Sequence, residues 1–140
     1  MGYRSDVVYR IVFDNEDTMK LFIAEAKSRE DTRLAFVGEE GEEFLEQVED
    51  TLELRFMGNG WKWYSEYEVV KAHENVLGVA REYSERTESV RNDNGDMVEK
   101  VVGDVQYAFA RIGEDMEDME VYGSEDYYSL LDIDRSIKIW

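Results

Sequence analysis

The stretch Val7-Val8-Tyr9-Arg10-Ile11-Val12-Phe13 combines β-branched and aromatic residues in the way that is typical of a β-strand. Its odd-numbered positions are all apolar, whereas its even-numbered positions include the charged Arg10. Because successive side chains point to opposite faces of a strand, this pattern predicts a half-buried strand with one fully apolar face. We therefore expect Val7–Phe13 to lie at the centre of a sheet.

Two helices are predicted to follow this strand. Asp14 or Asn15 can cap the first helix, which should end near Arg29 or Glu30. Its apolar positions have the i, i+3, i+4, i+7 spacing of one buried face, and they are Met19, Phe22, Ile23 and Ala26. The stretch Glu39–Asp50 then places Phe44, Leu45 and Val48 at helical spacing among acids, which predicts a short acidic helix.

A hairpin and a second long helix are predicted next. The segments Thr51–Met57 and Trp61–Tyr64 flank Gly58-Asn59-Gly60, whose residues readily supply the positive φ of a tight turn. The sequence Ser65-Glu66-Tyr67-Glu68 then has the S-x-x-E form of a capping box at a helix start. We expect this helix to run to about Glu85.

The last third of the chain has weaker patterns. Thr87–Val102 is polar and mixed in charge, so it is predicted to be either a looser hairpin that turns at Asn94-Gly95 or a mobile loop. Alternating apolar residues predict three further strands, over Asp104–Ile112, Met119–Tyr122 and Ser136–Trp140.

These elements give a prediction of the fold class. The order strand, helix, two hairpin strands, helix, strand is that of a ferredoxin-like βαββαβ core. With 140 residues and 43% hydrophobic content, the chain can bury one core but not two. We therefore expect a single α+β domain over residues 1–140, made of a ferredoxin-like core, an acidic helical insertion and a C-terminal β extension.

The acidic residues are concentrated in two windows that contain no lysine or arginine, Leu34–Leu54 and Ile112–Asp134. The windows hold half of the 34 acids, and outside them the acids nearly balance the 16 bases. The formal net charge of −18 is therefore local. Such a surface attracts cations and is repelled by phosphate backbones and anionic lipids. We expect a basic protein partner, no direct nucleic-acid binding and no membrane binding.

The sequence does not identify a reaction. The chain contains no cysteine, which excludes thiolate nucleophiles and Cys-based zinc sites, and it has no G-x-S-x-G, H-E-x-x-H, P-loop or G-x-G-x-x-G motif. The only histidine, His73, lies on an apolar helix stripe, which favours a structural role over catalysis. Trp61 and Trp63 are predicted to pack in the core rather than stack on bases. We expect no enzyme activity, no catalytic residues and no cofactor.

Three segments of the chain carry a resemblance to a known class of proteins. They are Met1-Gly2-Tyr3-Arg4-Ser5-Asp6-Val7, residues 107–114 (Tyr-Ala-Phe-Ala-Arg-Ile-Gly-Glu) and Asp134-Arg135-Ser136-Ile137. With these segments, the chain resembles small acidic accessory proteins encoded by tailed bacteriophages. The resemblance implies a phage gene product in the bacterial host cytoplasm, where small acidic proteins often inhibit host machinery, including CRISPR effectors and restriction enzymes. It carries over no binding residues.

We predict an inhibitory or regulatory protein that binds a basic host protein, such as a nucleic-acid-binding enzyme. If both acidic windows lie on one face, their carboxylates can occupy a groove that normally holds phosphates, which would make the protein a nucleic-acid mimic of the anti-CRISPR or anti-restriction type. The predicted partner-binding residues are Glu39, Glu40, Glu42, Glu43, Glu46, Glu49, Asp50, Glu114, Asp115, Glu117, Asp118, Glu120, Glu125 and Asp126.

Two alternative functions stay open. Residues Glu114–Asp118 gather hard oxygen ligands in one short stretch, so a protein or enzyme that binds a divalent metal there is one alternative. The other alternative is a self-associating structural phage component, in which the edge strand Ser136–Trp140 pairs with a second copy. The sequence does not determine the oligomeric state.

Overall fold

The sheet is built outward from the strand that the sequence predicts to be central. The computed structural model describes residues 3–38, 43–101, 104–115, 117–124, 131–133 and 137–139. Within them the elements are β1 (Ser5–Phe13), α1 (Glu16–Ser28), α2 (Arg33–Phe36), β2 (Glu46–Val48), β3 (Glu53–Trp61), α3 (Glu68–Ser84), β4 (Thr87–Arg91), β5 (Met97–Val101), β6 (Val105–Ile112), β7 (Met119–Gly123), β8 (Leu131–Ile133) and β9 (Ile137–Ile139).

Strand β1 is the middle strand of a five-stranded sheet with the order β2-β3-β1-β6-β7. Every neighbouring pair in this sheet is antiparallel. The strands β4 and β5 form a separate hairpin, and β8 and β9 form another. The described residues therefore form a mixed α+β structure with three helices, and their strand count exceeds that of a minimal βαββαβ unit.

One face of the sheet carries the main core. Tyr9 and Ile11 of β1 are fully buried there, and they lie opposite Phe109 and Tyr107 of β6. The two long helices contribute the apolar residues Met19, Phe22, Ala26, Val76, Leu77 and Ala80 to the same cluster. The predicted cap of α1 is confirmed, because the Asn15 side chain accepts a hydrogen bond of 2.8 Å from the Thr18 N–H.

The opposite face of the sheet is partly covered. Val8 on β1 is only 1% exposed, and Ala108, Ala110 and Ile112 of β6 are buried. Strand β9 contacts β1, and both β8 and β9 contact β6. The C-terminal hairpin therefore lies on β1 and β6. It covers the second face of β1 only in part, since Val8 is buried there but Asp6, Arg10 and Val12 have intermediate exposure.

A buried carboxylate lies on that second face. Glu53 at the start of β3 is 0% exposed and forms ion pairs with Arg10 of β1 and Arg55 of β3. Arg10 and Arg55 are direct partners across the β1–β3 ladder, so their positive charges are neighbours. The carboxylate between them reduces their mutual repulsion.

The predicted hairpin around Gly58-Asn59-Gly60 is wrong. Strand β3 continues through these residues to Trp61, and the register against β1 is irregular between Ser5 and Val7, which is the signature of a β-bulge. Gly60 has a φ of +67°, so the glycine serves the bulge rather than a turn. A Cβ at Gly58 would lie 2.8 Å from the Trp61 indole nitrogen, so the glycine lets that ring fold against the strand.

The real hairpin connects β2 to β3, and it replaces the predicted acidic helix. Glu46–Val48 forms an edge strand paired with β3, and Glu43–Leu45 contains no helix. Residues 39–42 lie outside the described part of the chain. Phe44 and Leu45 still pack against the core, so their apolar character was compatible with either structure. Pairing with the neighbouring strand overrode the local helical spacing.

The start of the second long helix also differs from the prediction. Helix α3 begins at Glu68, and its N-cap Tyr67 makes no side-chain capping bond. Ser65 instead donates to the Glu74 carboxylate over 2.8 Å, so the predicted capping box does not form. Between β4 and β5, the turn at Asn94-Gly95 forms as one of the two predicted alternatives, with Gly95 at φ +85°. Among the described residues, no helix has the length and apolar character that a membrane span requires.

Replacing Glu53 with glutamine tests the buried ion pairs. We expect Glu53→Gln to lower the free energy of unfolding by about 3 kcal/mol, because it leaves two neighbouring guanidinium groups that repel each other. Urea denaturation of the purified variant measures the loss. Glu66→Gln, at an exposed position in the turn before α3, is the control and should change stability by less than about 0.5 kcal/mol. Equal losses in the two variants would contradict the assignment.

Candidate partner-binding edge

The predicted partner-binding acids occupy two separate places. Those of the first window that the structure describes are exposed and surround β2, namely Glu43, Glu46, Glu49 and Asp50. Those of the second window surround β7, where Glu114, Asp115, Glu117 and Glu120 are exposed and Asp118 is half-buried. Glu39, Glu40, Glu42, Glu125 and Asp126 lie outside the described residues.

The two windows lie at opposite edges of the sheet. Strand β2 is the first strand and β7 the last, with β3, β1 and β6 between them. Strands are about 4.8 Å apart, so the two edges are separated by roughly 19 Å. The described acids therefore do not form one continuous face. A single mimic surface built from both windows would need such a face.

The segregation of charge along the sequence is partly undone in space. Arg111 on β6 forms ion pairs with Asp118 and Glu120 of the second window. In the first window, Glu53 is paired with two arginines, and Glu46 lies opposite Arg55 across the strands. Some acids of the two windows therefore have a basic neighbour in space that the sequence around them lacks.

Residues 113–118, which we call the acidic turn, connect β6 to β7. The Gly113 N–H donates to the Asp118 carbonyl over 2.8 Å, and the Asp118 N–H donates to the Asp115 carbonyl over 3.1 Å. The Tyr3 hydroxyl accepts from the Asp115 N–H at 3.0 Å and donates to Asp118 Oδ2 at 2.6 Å. The acidic turn is thus tied to itself and to the N-terminal segment.

Arg111 completes this network. Its two terminal nitrogens bind the two oxygens of Asp118 at 3.1 and 2.9 Å, and Nη1 also donates to Ser5 Oγ at 3.1 Å. The hydrogen bonds from Arg111 and then from Tyr3 hold the pKa of Asp118 at about 2, well below its usual value. Asp118 is therefore an internal anchor, while Glu114, Asp115 and Glu117 are left at the surface.

A groove lies beside the acidic turn, between α3 and the strands β6 and β7. We call it the α3–β7 groove, and its volume is about 630 Å³. Its aromatic lining includes Phe109 and Tyr122, whose rings stack with centroids 4.8 Å apart. Glu74 of α3 and Glu120 of β7 also line the groove. The groove is large enough for a small ligand or a few side chains.

The carboxylate of Asp118 is already bound by protein groups within the acidic turn. Both oxygens of Asp118 are bound by Arg111, and Tyr3 donates to one of them. Within the described residues, no group of three or more acidic or histidine side chains is positioned to hold an ion. Divalent metal binding by Glu114–Asp118 stays a prediction, which calorimetric titration with Ca²⁺ and Mg²⁺ tests.

His73 lies in the core. It is fully buried, its Nδ1 lies 2.5 Å from the Tyr9 hydroxyl, and Phe56 packs on its ring at a centroid distance of 4.3 Å. Trp61 and Trp63 are half-buried and contact the same cluster. Burial lowers the pKa of His73 to about 3, so the imidazole is neutral at physiological pH. It has no access to a substrate in this structure.

Several residues of this edge escaped the sequence analysis. The sequence points to Tyr3 only through the resemblance, and to Arg111 only through the resemblance and a predicted strand, yet both anchor the acidic turn. Glu74 and Tyr122 reach the groove from different elements. The one local signal was the position of Arg111, which is the last base before a long acidic window.

The pH dependence of stability tests the burial of His73. Its pKa is about 3 when folded and 6.5 when unfolded, so below pH 6.5 the unfolded chain gains a proton that the folded one excludes. Stability is therefore full above pH 6.5 and falls as the pH drops, by about 1.4 kcal/mol per unit. His73→Gln, which retains an acceptor for Tyr9, should remove this slope between about pH 6 and pH 5. The free energy of unfolding is measured by urea titration at each pH. If it falls with decreasing pH equally steeply in both proteins, the assignment is refuted.

Glycine at position 113 is required by the network. A Cβ there would collide with the Asp118 carboxylate and the Tyr3 hydroxyl. We expect Gly113→Ala to lower the melting temperature by breaking contacts of the acidic turn. Gly78→Ala on α3 is the matched control, because its Cβ meets no atom within 4 Å and alanine favours a helix by about 1 kcal/mol. Thermal unfolding that is unaffected by Gly113→Ala would show that the network contributes nothing.

Comparison with known proteins assigns no family to this chain. No protein-family model, no curated protein and no solved structure matches it. Its function is therefore inferred from the geometry of the acidic turn and of the α3–β7 groove.

Proposed function

We propose that this chain is a binding protein, not an enzyme, and that it presents the acidic turn and the adjacent groove to a basic partner protein. The observation that carries the proposal is the network of Arg111, Asp118 and Tyr3, which holds the turn while its other carboxylates face the solvent. Arginine, a cation that usually weakens an acidic surface, is used here to fix its shape.

A preformed acidic surface gains affinity because less conformational freedom is lost on binding. The hydrogen bonds of Tyr3 connect the turn to a residue more than 100 positions away, as the separations of 112 and 115 show. A loop that only increases solubility needs no such connection, because solvated carboxylates act in any conformation. The network therefore favours recognition over solubility.

The β2 edge is a weaker candidate. Lys20 of α1 lies in the same cleft as Glu49 and Asp50, and the charge of Glu49 contributes to raising the pKa of Lys20, after the larger effect of Glu16. Arg55 lies opposite Glu46. Both edges thus hold bases that pair with acids, so charge alone does not separate them. Among the described residues the cross-linked acidic turn is found at the β7 edge, so we assign the partner surface to that edge alone.

The proposal includes a ferredoxin-like core. The strand order β2-β3-β1-β6, with antiparallel neighbours and with α1 and α3 in the two long connections, supports this assignment. Strand β7 and the two hairpins are then additions to the core. Under this assignment, the proposed partner surface is built on an added edge strand.

The resemblance to phage accessory proteins suggests the setting. We propose a basic, nucleic-acid-handling host enzyme in the bacterial cytoplasm as the partner, inhibited in the anti-CRISPR or anti-restriction manner. Contact through one acidic edge fits a local block of a cationic groove better than replacement of a long nucleic acid. Self-association through Ser136–Trp140 stays a prediction. Of that segment, the structure describes Ile137–Ile139, which is β9 and pairs with β8.

Charge reversal at each edge tests the partner surface. The variant Glu114→Lys/Asp115→Lys/Glu117→Lys should lose its partner in pull-downs from bacterial lysate, because it inverts the outward charges but leaves Asp118 in place. The control Glu43→Lys/Glu46→Lys/Asp50→Lys makes the same change in net charge at the β2 edge and should retain the partner.

Salt dependence completes this test. Capture by the unmodified protein should weaken as salt rises, since the contact is between exposed charges. Mass spectrometry should identify the captured protein as basic. Equal losses in both triple variants, or a partner that is insensitive to salt, would refute the assignment to the acidic turn.

A further inference from the structure

Gly78 in the middle of α3 has no explanation within the fold. Glycine is among the least favourable residues in a helix interior. Close packing often explains such a glycine, but a Cβ at Gly78 would meet no atom within 4 Å. The space next to it belongs to the α3–β7 groove. The groove is therefore wider at this point than the packing of the chain itself requires.

Beyond Gly78, the groove exposes an aromatic ring. Tyr122 on β7 is 37% exposed, and it stacks on Phe109 at an interplanar angle of 24°. Phe109 is buried, so it holds the Tyr122 ring in a fixed plane. Such a supported ring offers a flat surface on which a planar or cationic group can stack.

Two carboxylates from different elements flank this ring. Burial raises the pKa of Tyr122, and the charges of Glu120 and Glu74 raise it further, so both carboxylates act on the same hydroxyl. The groove also contains Arg81 and Arg111, but each already has an acidic partner. Arg81 pairs with Glu85 at 3.2 Å, and Arg111 binds Asp118 more closely than it binds Glu120, at 2.9 against 3.4 Å.

We propose that the α3–β7 groove receives an arginine side chain of the partner protein, which stacks on Tyr122 between Glu74 and Glu120. The space beside Gly78 accommodates the aliphatic part of this side chain. The inference rests on the proposed function, because it names the chemical group through which the basic partner is recognised.

Arginine fits this groove better than lysine does. Its guanidinium is planar and weakly hydrated, so it stacks on an aromatic ring and still donates hydrogen bonds in its own plane. Glu74 on α3 and Glu120 on β7 line the groove from different elements, so they can accept from different N–H groups of one guanidinium. An ammonium group is a strongly hydrated point charge and gains less from a flat ring.

Filling the groove is the direct test. The probe is a short arginine-rich peptide, capped at both ends, with its lysine counterpart as comparison. Gly78→Leu should weaken binding of the arginine peptide by at least about tenfold, since it removes a cation–π contact flanked by carboxylates. Leucine favours a helix more than glycine does, so loss of folding does not explain the effect.

The control substitution is Glu82→Leu on the same helix. Glu82 does not line the groove, and its charge acts on Arg29 at the end of α1. This variant places the same leucine side chain on α3 outside the groove and removes one acid, yet it should bind the arginine peptide within about twofold of the unmodified protein. Glu74→Gln should weaken binding without filling the space.

The possible outcomes separate this inference from the proposed function. Equal affinity for the arginine and lysine peptides, or binding that survives Gly78→Leu, overturns the arginine site. If Gly78→Leu still captures the lysate partner while the triple variant of the acidic turn does not, the proposed function holds and the groove inference fails. If Gly78→Leu and the triple variant both lose the lysate partner while Glu82→Leu retains it, the proposed function and the arginine site are both supported.

Discussion

The ion pair between Arg111 and Asp118 is the interaction on which the β7 side of the molecule depends. It joins β6 to the loop that leads into β7, and through Tyr3 it also binds the start of the chain. Arg111 and Asp118 line one end of the α3–β7 groove as well. One bidentate contact therefore sets the shape of the acidic turn and of the groove next to it.

This arrangement changes the meaning of the acidic composition. A formal charge of −18 suggests a surface that repels itself, but arginines on central strands neutralise selected acids and leave others exposed. The β2 and β7 edges differ in this respect, because only the described β7 edge combines a cross-linked acidic turn with an aromatic groove. Recognition is therefore proposed at one edge rather than over a general anionic face.

The sequence predicted the elements whose patterns are local. The apolar alternation of Val7–Phe13 was sufficient to predict β1, and the capping residue Asn15 was sufficient to predict the start of α1, because periodicity and capping act within a few residues. Gly58–Gly60 was misread because a bulge and a turn both use positive φ. Strand β2 was missed because its pairing with β3 overrides the helical spacing of the apolar residues in that segment. The contact between Tyr3 and Asp118 joins distant positions, and no sequence pattern encodes it.

Amide hydrogen exchange in the unbound protein tests most directly whether the acidic turn is preformed. The N–H groups of Gly113, Asp115 and Asp118 donate to the Asp118 carbonyl, the Tyr3 hydroxyl and the Asp115 carbonyl. NMR should therefore show slow exchange at all three positions, and Tyr3→Phe should accelerate exchange at Asp115 most. Exchange at the rate of an unstructured peptide at these positions would contradict the account, because the turn would then be a solvated loop.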